Sequence, residues 1–302
     1  MKKAVIKISA LGEFGLIDRM AKRIRTDGTV VKGIGDDCAV LALDAKRYLL
    51  FTSDMTVEGV DFLACDDPAL VGRKALAVCM SDIAACAGIP RHCLVSLGLP
   101  GNTAVRRVDR LFKGMRGIAA SFGVNIVGGD ISRARALTID VSMLGIVEKK
   151  DLVLRSGARA GDVIFVSGSF GGSRTGKHLC FTPRLRQARY LCRRCTVHAM
   201  IDVSDGLLAD LGHILKASHA GAILYEDRIP LSPEARDIKD ALCSGEDFEL
   251  LFTVPLTQAR RLASKTRDFT AIGEIVAPRR GLTLVERSGK KRKVRPSGYT
   301  HF

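Results

Sequence analysis

The chain of 302 residues contains no tryptophan, and with 4 Tyr and 12 Phe its aromatics make up only 5% of the total. Binding of single-stranded nucleic acid by base stacking needs ring faces interleaved with a basic groove. Few are present, and none falls within the most basic run, RSGKKRKVR at 287–295, where six of nine residues are Lys or Arg. A nucleic-acid partner is therefore disfavoured despite the formal net charge of +15, and the run reads as a solvated basic hairpin or strand. No apolar run reaches the roughly 20 residues a bilayer span requires. The opening MKKAVIKISALGEF breaks its one candidate signal core at Lys7. These absences predict a cytoplasmic protein with no membrane association. The nine cysteines are odd in number and scattered, which shows no disulfide framework and predicts reduced thiols.

What is present is a chain with 47% hydrophobic residues, long enough for two domains with real cores. Apolar periodicity predicts helices over 15–25, 68–88, 105–122 and 256–266, and strands at 47–54, 91–100, 124–130 and 137–148. The alternation breaks at EKKD, 148–151. Two α+β domains follow, residues 1–149 and 150–302.

Aspartates recur beside apolar segments, where a carboxylate needs a cation or several donors to offset its lost hydration. In MIDVSDGLLADLGHI, 200–214, Asp202 and Ser204 are predicted to share a strand face, with Asp205 and Gly206 turning into a helix. Asp205 alone suits a helix cap, which leaves Asp202 unexplained. VKGIGDDCAVLAL, 31–43, sets Asp36 and Asp37 side by side, and LFTSDMTVEGVDF, 50–62, offers Thr52, Ser53 and Asp54. GRKALAVCMSDIAACAGI, 72–89, places Asp82 inside an apolar helix. VNIVGGDISRA, 124–134, puts Gly128 and Gly129 ahead of Asp130, and SGEDFELLF, 244–252, reads on its own as an acidic turn. Oxygen ligands in this number, on a basic chain, match magnesium-dependent phosphoryl transfer better than other chemistries.

Two patterns mislead. GGSRTGKH, 171–178, fits a P-loop until its last position, where His178 replaces the hydroxyl that holds magnesium. CRRCTVH, 192–198, has zinc-like spacing in Cys192, Cys195 and His198 but no fourth ligand nearby.

GEFGLI at 12–17, GIGDDCAV at 33–40, TSDMTVEGVDF at 52–62, KALAVCMSDIAACAG at 74–88, VGGDISR at 127–133, LRSGARAGD at 154–162, IDVSDGLLADLGHI at 201–214, SGEDFELLF at 244–252, IGEI at 272–275 and the final GYTHF are ordered along nearly the whole chain. Together they resemble the thiamine-monophosphate kinase family. Single motifs are shared with aminoimidazole ribonucleotide synthetase, selenophosphate synthetase and the hydrogenase maturation carbamoyl dehydratase.

The resemblance implies an α+β, two-domain fold of the aminoimidazole ribonucleotide synthetase type. The N-terminal domain would form a shared sheet or barrel in a homodimer, and the C-terminal domain an α/β sandwich. It implies transfer of the ATP γ-phosphoryl group to thiamine phosphate, giving thiamine diphosphate and ADP. Asp37, Thr52, Ser53, Asp54, Asp82, Asp130, Asp202 and Asp205 would bind Mg2+. Gly129, Asp130, Arg155 and Ser204 would contact ATP, and Asp61, Glu246 and Tyr299 would line the thiamine phosphate pocket. No general base is assigned. The alternatives are another ATP-dependent enzyme of the superfamily with a different acceptor, and a basic nucleic-acid-binding protein. Against the family pattern, Cys79 stands where Asn is common, Thr300 replaces an acidic residue, and 168–200 is short and basic.

Overall fold

The computed structural model describes residues 7–265 and 268–302. The first six residues of the opening segment, and Thr266 at the end of the expected last helix, lie outside them. After a helix α1 (Ile8–Ala21), six strands build the first sheet: β1 (Val30–Lys32), β2 (Ala39–Ala42), β3 (Arg47–Val57), β4 (Ile89–Leu99), β5 (Asn125–Arg133) and β6 (Thr138–Glu148). Their order is β1-β2-β3-β6-β4-β5. All pairs are antiparallel except β4 with β5. Two helices, α2 (Pro68–Ala85) and α3 (Val105–Phe122), complete this half.

The second sheet has seven strands, β7 (Asp162–Ser167), β8 (Ala199–Asp202), β9 (Gly221–Tyr225), β10 (Leu250–Pro255), β11 (Phe269–Val276), β12 (Leu282–Val285) and β13 (Lys291–Lys293). Their order is β13-β12-β9-β11-β7-β10-β8. With them come α4 (Lys177–Cys180), α5 (Leu185–Arg194), α6 (Leu207–Ser218), α7 (Ile238–Cys243) and α8 (Leu256–Lys265). Among the described residues no helix is long and apolar enough to cross a membrane.

The period of two divides the second sheet between two cores. On β7, Phe165 joins the core shared with the first half, while Ile164 and Val166 face the core under α6 and α7. On β10, Leu250, Phe252 and Val254 go one way and Leu251 the other. Phe252 stacks on Phe165 at 5.7 Å and meets Phe269 edge-on at 5.2 Å. Each such fully buried ring adds about 1.5–3 kcal/mol over its exposed state.

Helix α2 is the hinge of the architecture. The Asp67 carboxylate caps it by accepting from the Ala69 amide at 2.8 Å, and Pro68 opens its first turn. It packs on β3, β6 and α3 on one side and on α4, α5 and β8 on the other, so the second half is seated against it. It ends at Ala85 rather than at residue 88, because Ala87 adopts a left-handed φ of 58° and the Gly88 amide turns back to the Ile83 carbonyl. The α1 helix starts at Ile8 and stops at Ala21, earlier at both ends than the 15–25 expected. It is kinked at Gly12, where φ 67° and ψ 172° are non-helical, and none of its residues is buried.

Strand β8 also ends sooner than expected. Asp202 is its last residue, and Ser204 lies in the turn beyond, so the two do not share a strand face. The strand's partner β10 begins at Leu250, opposite Asp202, and has no residue to pair with Ser204. The basic run forms an antiparallel hairpin of β12 with β13, all three β13 residues being exposed.

Candidate active site

The inner face of β3 carries Thr52 and Asp54 by alternation, and α2 brings Asp82 over them. The Thr52 hydroxyl donates to Asp82 Oδ2 at 2.5 Å. From the second half, β8 delivers Asp202, and the turn before β2 delivers Asp37. One carboxylate oxygen each from Asp37, Asp82 and Asp202 lies within 4.8 Å of the others.

Four anions so close resist ionisation together. Burial, then Asp37, pushes Asp202 up to about 8, against the Ser81 hydroxyl and Arg155. Burial and the carboxylates of Asp54, Asp202 and Asp37 hold Asp82 well above the ordinary range. Burial likewise raises Asp54, and it raises Asp37 against the pull of Arg155. Asp37 Oδ2 and Asp54 Oδ2 are buried with no hydrogen-bond partner. An orphaned carboxylate oxygen beside other carboxylates and a hydroxyl fits a hard divalent cation, whose charge would reverse each of these penalties.

Arg155 closes the site from the second half. Its Nη2 and Nε donate to Asp37 Oδ1 at 2.7 and 3.3 Å, and its backbone amide donates to Asp36. The Asp36 carboxyl is pushed up to about 6 by burial and by Asp37, less the effect of Arg155. Burial alone would lower Arg155, but Asp37 and Asp36 hold it above its ordinary value.

Asp205 belongs to an adjoining group with Asp210 and His213, whose ligand atoms lie within 4.8 Å. Burial raises the Asp205 carboxyl to about 6, with Glu13 adding to the shift. It does not cap α6. Gly206 occupies the cap position with no side-chain bond, and Asp210 instead accepts from the Asp205 and Gly206 amides at 3.0 and 3.1 Å. That leaves the Asp205 carboxylate free of the helix. Ser204 joins through its backbone, accepting from the Glu246 amide at 2.6 Å.

Of the expected substrate residues, Asp61 and Glu246 meet at a single buried cation. Lys74 Nζ, 2% exposed, donates to the Asp61 carbonyl at 2.7 Å and to Glu246 Oε1 at 2.9 Å. The Asp61 carboxylate itself accepts from the Val57 amide at 2.8 Å. Glu246 Oε2 is buried without a partner. The Tyr299 amide donates to the Asp205 carbonyl at 2.9 Å, and Arg174 lies 5.1 Å over the ring. The SGEDFELLF segment is more than an acidic turn. Glu249 accepts two bonds from Arg184, at 2.6 and 2.5 Å, and one from the Ser167 hydroxyl, while Asp247 accepts from the Gly171 amide.

Within the chain, three expected residues stand apart from the carboxylate cluster. Ser53 points to the outer face of the first sheet, where its hydroxyl meets Asp140 and Ser142, each at 3.1 Å. Asp130 is exposed on the edge strand β5, in the row that runs through Ser96 to Asp140. Gly129, next to it, has φ 155°, and a Cβ there would lie 1.7 Å from the Val95 carbonyl oxygen. Close pairing of β4 with β5 therefore needs glycine at 129 whatever it binds.

The two misleading patterns are accounted for. Lys177 of GGSRTGKH donates to the Ser169 carbonyl at 2.7 Å and lies 3.3 Å from Glu249 and 3.6 Å from Asp247, and so serves as an internal counter-ion. His198 pairs with Asp162 at 2.9 Å rather than with Cys192 and Cys195. Sequence reasoning missed Lys74 as a functional residue. Its signal is a basic residue beside Arg73 in the mostly apolar ALVGRKALAVCM, where a buried ammonium must have a partner.

Comparison with known proteins identifies the family. Residues 35–147 match the family model "AIR synthase related protein, N-terminal domain" and residues 159–285 the corresponding C-terminal domain. The thiamine-monophosphate kinase of Aquifex aeolicus is 34% identical over 98% of this chain and 100% of its own length. That of Escherichia coli K12 is 34% identical over 97% and 99%. A solved structure of AaThiL complexed with AMPPCP and TMP superposes with a TM-score of 0.88 at 34% identity, covering 99% of this chain and 100% of that one. With both AIR synthase related domains present and 34% identity along almost the whole chain, the chain belongs to the thiamine-monophosphate kinase family.

Proposed function

We propose that the protein transfers the γ-phosphoryl group of ATP to thiamine phosphate, giving thiamine diphosphate and ADP. The observation that carries this reading is the full-length similarity to AaThiL, which was solved with AMPPCP and TMP. The acceptor is already an oxyanion, so one of its phosphate oxygens attacks the γ-phosphorus as the bond to the β-bridging oxygen breaks. No side chain has to remove a proton. The difficulty is the approach of two anions, and positioning with charge neutralisation is the remedy.

Asp37, Asp54, Asp82 and Asp202, with the Thr52 hydroxyl, are the residues we assign to Mg2+, and Asp205 to a neighbouring ion. Bound magnesium would cancel phosphate charge and fix the reacting oxygens. Arg155 exchanges part of its hold on Asp37 for the nucleotide phosphates. Ser204 and Gly129 contribute backbone contacts to ATP. Asp61, Glu246 and Tyr299 face the acceptor, where an acidic group and an aromatic ring suit a thiazolium cation.

For Ser53, Gly129 and Asp130 a second copy of the chain supplies the missing context. Phe51, Met55 and Leu94 leave an apolar outer face on the first sheet, 43%, 62% and 48% exposed. Covering that face with the same sheet of a partner would give a homodimer, residues 1–149 acting as the dimerisation and nucleotide domain and 150–302 completing the cleft. A cytoplasmic location suits ATP as donor and nine unpaired cysteines. The test is incubation with ATP, magnesium and a panel of acceptors. Thiamine diphosphate should form from thiamine phosphate alone. Turnover of another acceptor in its place, by a folded protein, would overturn the assignment.

A further inference from the structure

Arg73 and Asp82 are nine residues apart on α2, which at 100° per residue sets them on opposite faces, and at 1.5 Å per residue about 14 Å apart along the axis. On the Arg73 side, away from the carboxylates, a cleft of about 700 Å³ opens between α2, α3 and the segment from Thr182 to Gln187. Three cations line it, Arg73, Lys113 and Arg186, and no Asp or Glu does. None of the three has an ion-pair partner among the described residues. Arg73 Nη1 is buried without any hydrogen-bond acceptor. Burial holds this guanidinium below its ordinary value.

Such an arrangement is costly as it stands. A buried guanidinium nitrogen with no acceptor loses its hydration, and unpaired like charges around one cleft repel. An oxyanion removes both penalties, and a guanidinium fork matches its geometry. Leu70, Phe122 and Pro183 give the lining an apolar part, Ser121, Thr182 and Gln187 add neutral polar groups, and the volume is that of a small-molecule site. Gly117 of α3 lies in the lining, and a Cβ built there meets nothing within 4 Å.

We propose that this cleft, separate from the phosphoryl-transfer site, binds a small organic phosphate. Its phosphate group lies among Arg73, Lys113 and Arg186, and its apolar or ring portion lies against Leu70, Phe122 and Pro183. The ligand would join the first half of the chain, through α2 and α3, to the second, through Arg186.

The test is amide NMR of the full-length protein titrated with inorganic phosphate and, separately, with phenyl phosphate. Saturable shifts are expected at Gly114, Gly117 and Ser121. Phenyl phosphate should bind about tenfold more tightly than inorganic phosphate, because the ring buries apolar area. Arg73→Met with Arg186→Met should weaken binding by about tenfold or more. Gly117→Leu fills the cleft and favours the helix, so it should abolish binding without lowering the melting temperature. Shifts confined to other regions, equal affinity for the two probes, or undiminished binding in the Arg73 and Arg186 variant would each overturn the proposal. None of these readouts uses turnover, so the result stands apart from the kinase assignment.

Discussion

Lys74 of α2 and Glu246 of the loop before β10 are 2.9 Å apart across the boundary between the two sheets, the lysine 2% exposed. Removing one member of a buried ion pair strands the other, at a cost of about 3–5 kcal/mol. Lys74→Met should therefore lower unfolding free energy by about that amount, and Glu246→Gln by less, because its amide still accepts from Lys74. Urea denaturation of both variants measures the difference. Equal stability of Lys74→Met and the parent chain would show that the pair does not join the domains.

The carboxylate cluster should make stability depend on pH and on magnesium together. An unfolded aspartate titrates near about 3.9, whereas Asp202 is pushed up to about 8 and Asp36 to about 6. Between those values the folded chain holds more protons than the unfolded one, so stability without metal falls as pH rises from 5 through 8. Magnesium binds the deprotonated form, so its stabilising effect should grow over the same range. Thermal denaturation at pH 6 and pH 8, with and without magnesium, checks this. A melting-temperature gain that does not change with pH would contradict it.

Asp210 holds the α6 turn open for Asp205 by accepting two amides. Asp210→Ala should leave both amides unsatisfied and cost about 1–3 kcal/mol, with a larger loss of turnover than of nucleotide affinity as Asp205 shifts. Denaturation and steady-state kinetics measure the two effects. Wild-type stability and turnover together would remove Asp210 from the account.

The apolar outer face of the first sheet predicts the oligomeric state. Phe51→Glu with Met55→Glu should convert a dimer to a monomer in sedimentation, without loss of secondary structure. A parent chain that sediments as a monomer at micromolar concentration would exclude the shared-sheet assembly.

Much of this was legible in the sequence, for identifiable reasons. The helix over 105–122 and the strand over 137–148 are strongly periodic, and both elements occur where the apolar spacing sets them. Asp82 and Asp202 stood out because a carboxylate among Val, Met and Ile has few ways to keep its charge. Other features depend on contacts distant in sequence. The end of β8 at Asp202 is set by where β10 begins, and the role of Lys74 by Glu246, 172 positions away. Asp210 is an acid in the first turn of α6, and only the folded turn shows it accepting from the Asp205 and Gly206 amides. Ser53 shares a motif with Thr52 and Asp54, but strand alternation sends it to the other face, and Asp130, in a motif of its own, lies exposed on the edge strand β5. For these two, position in a motif and position in the folded chain differ.

The central claim is that carboxylates from both halves of the chain hold divalent cations at one place, and counting bound ions tests it most directly. Manganese, whose free and bound forms are separated by electron paramagnetic resonance, can be titrated into the parent chain, Asp82→Asn and Asp202→Asn in the presence of AMPPCP. Each variant should bind fewer manganese ions than the parent, and each should lose thiamine diphosphate formation by at least about a hundredfold. Unchanged manganese stoichiometry in both variants, with turnover intact, would contradict the account.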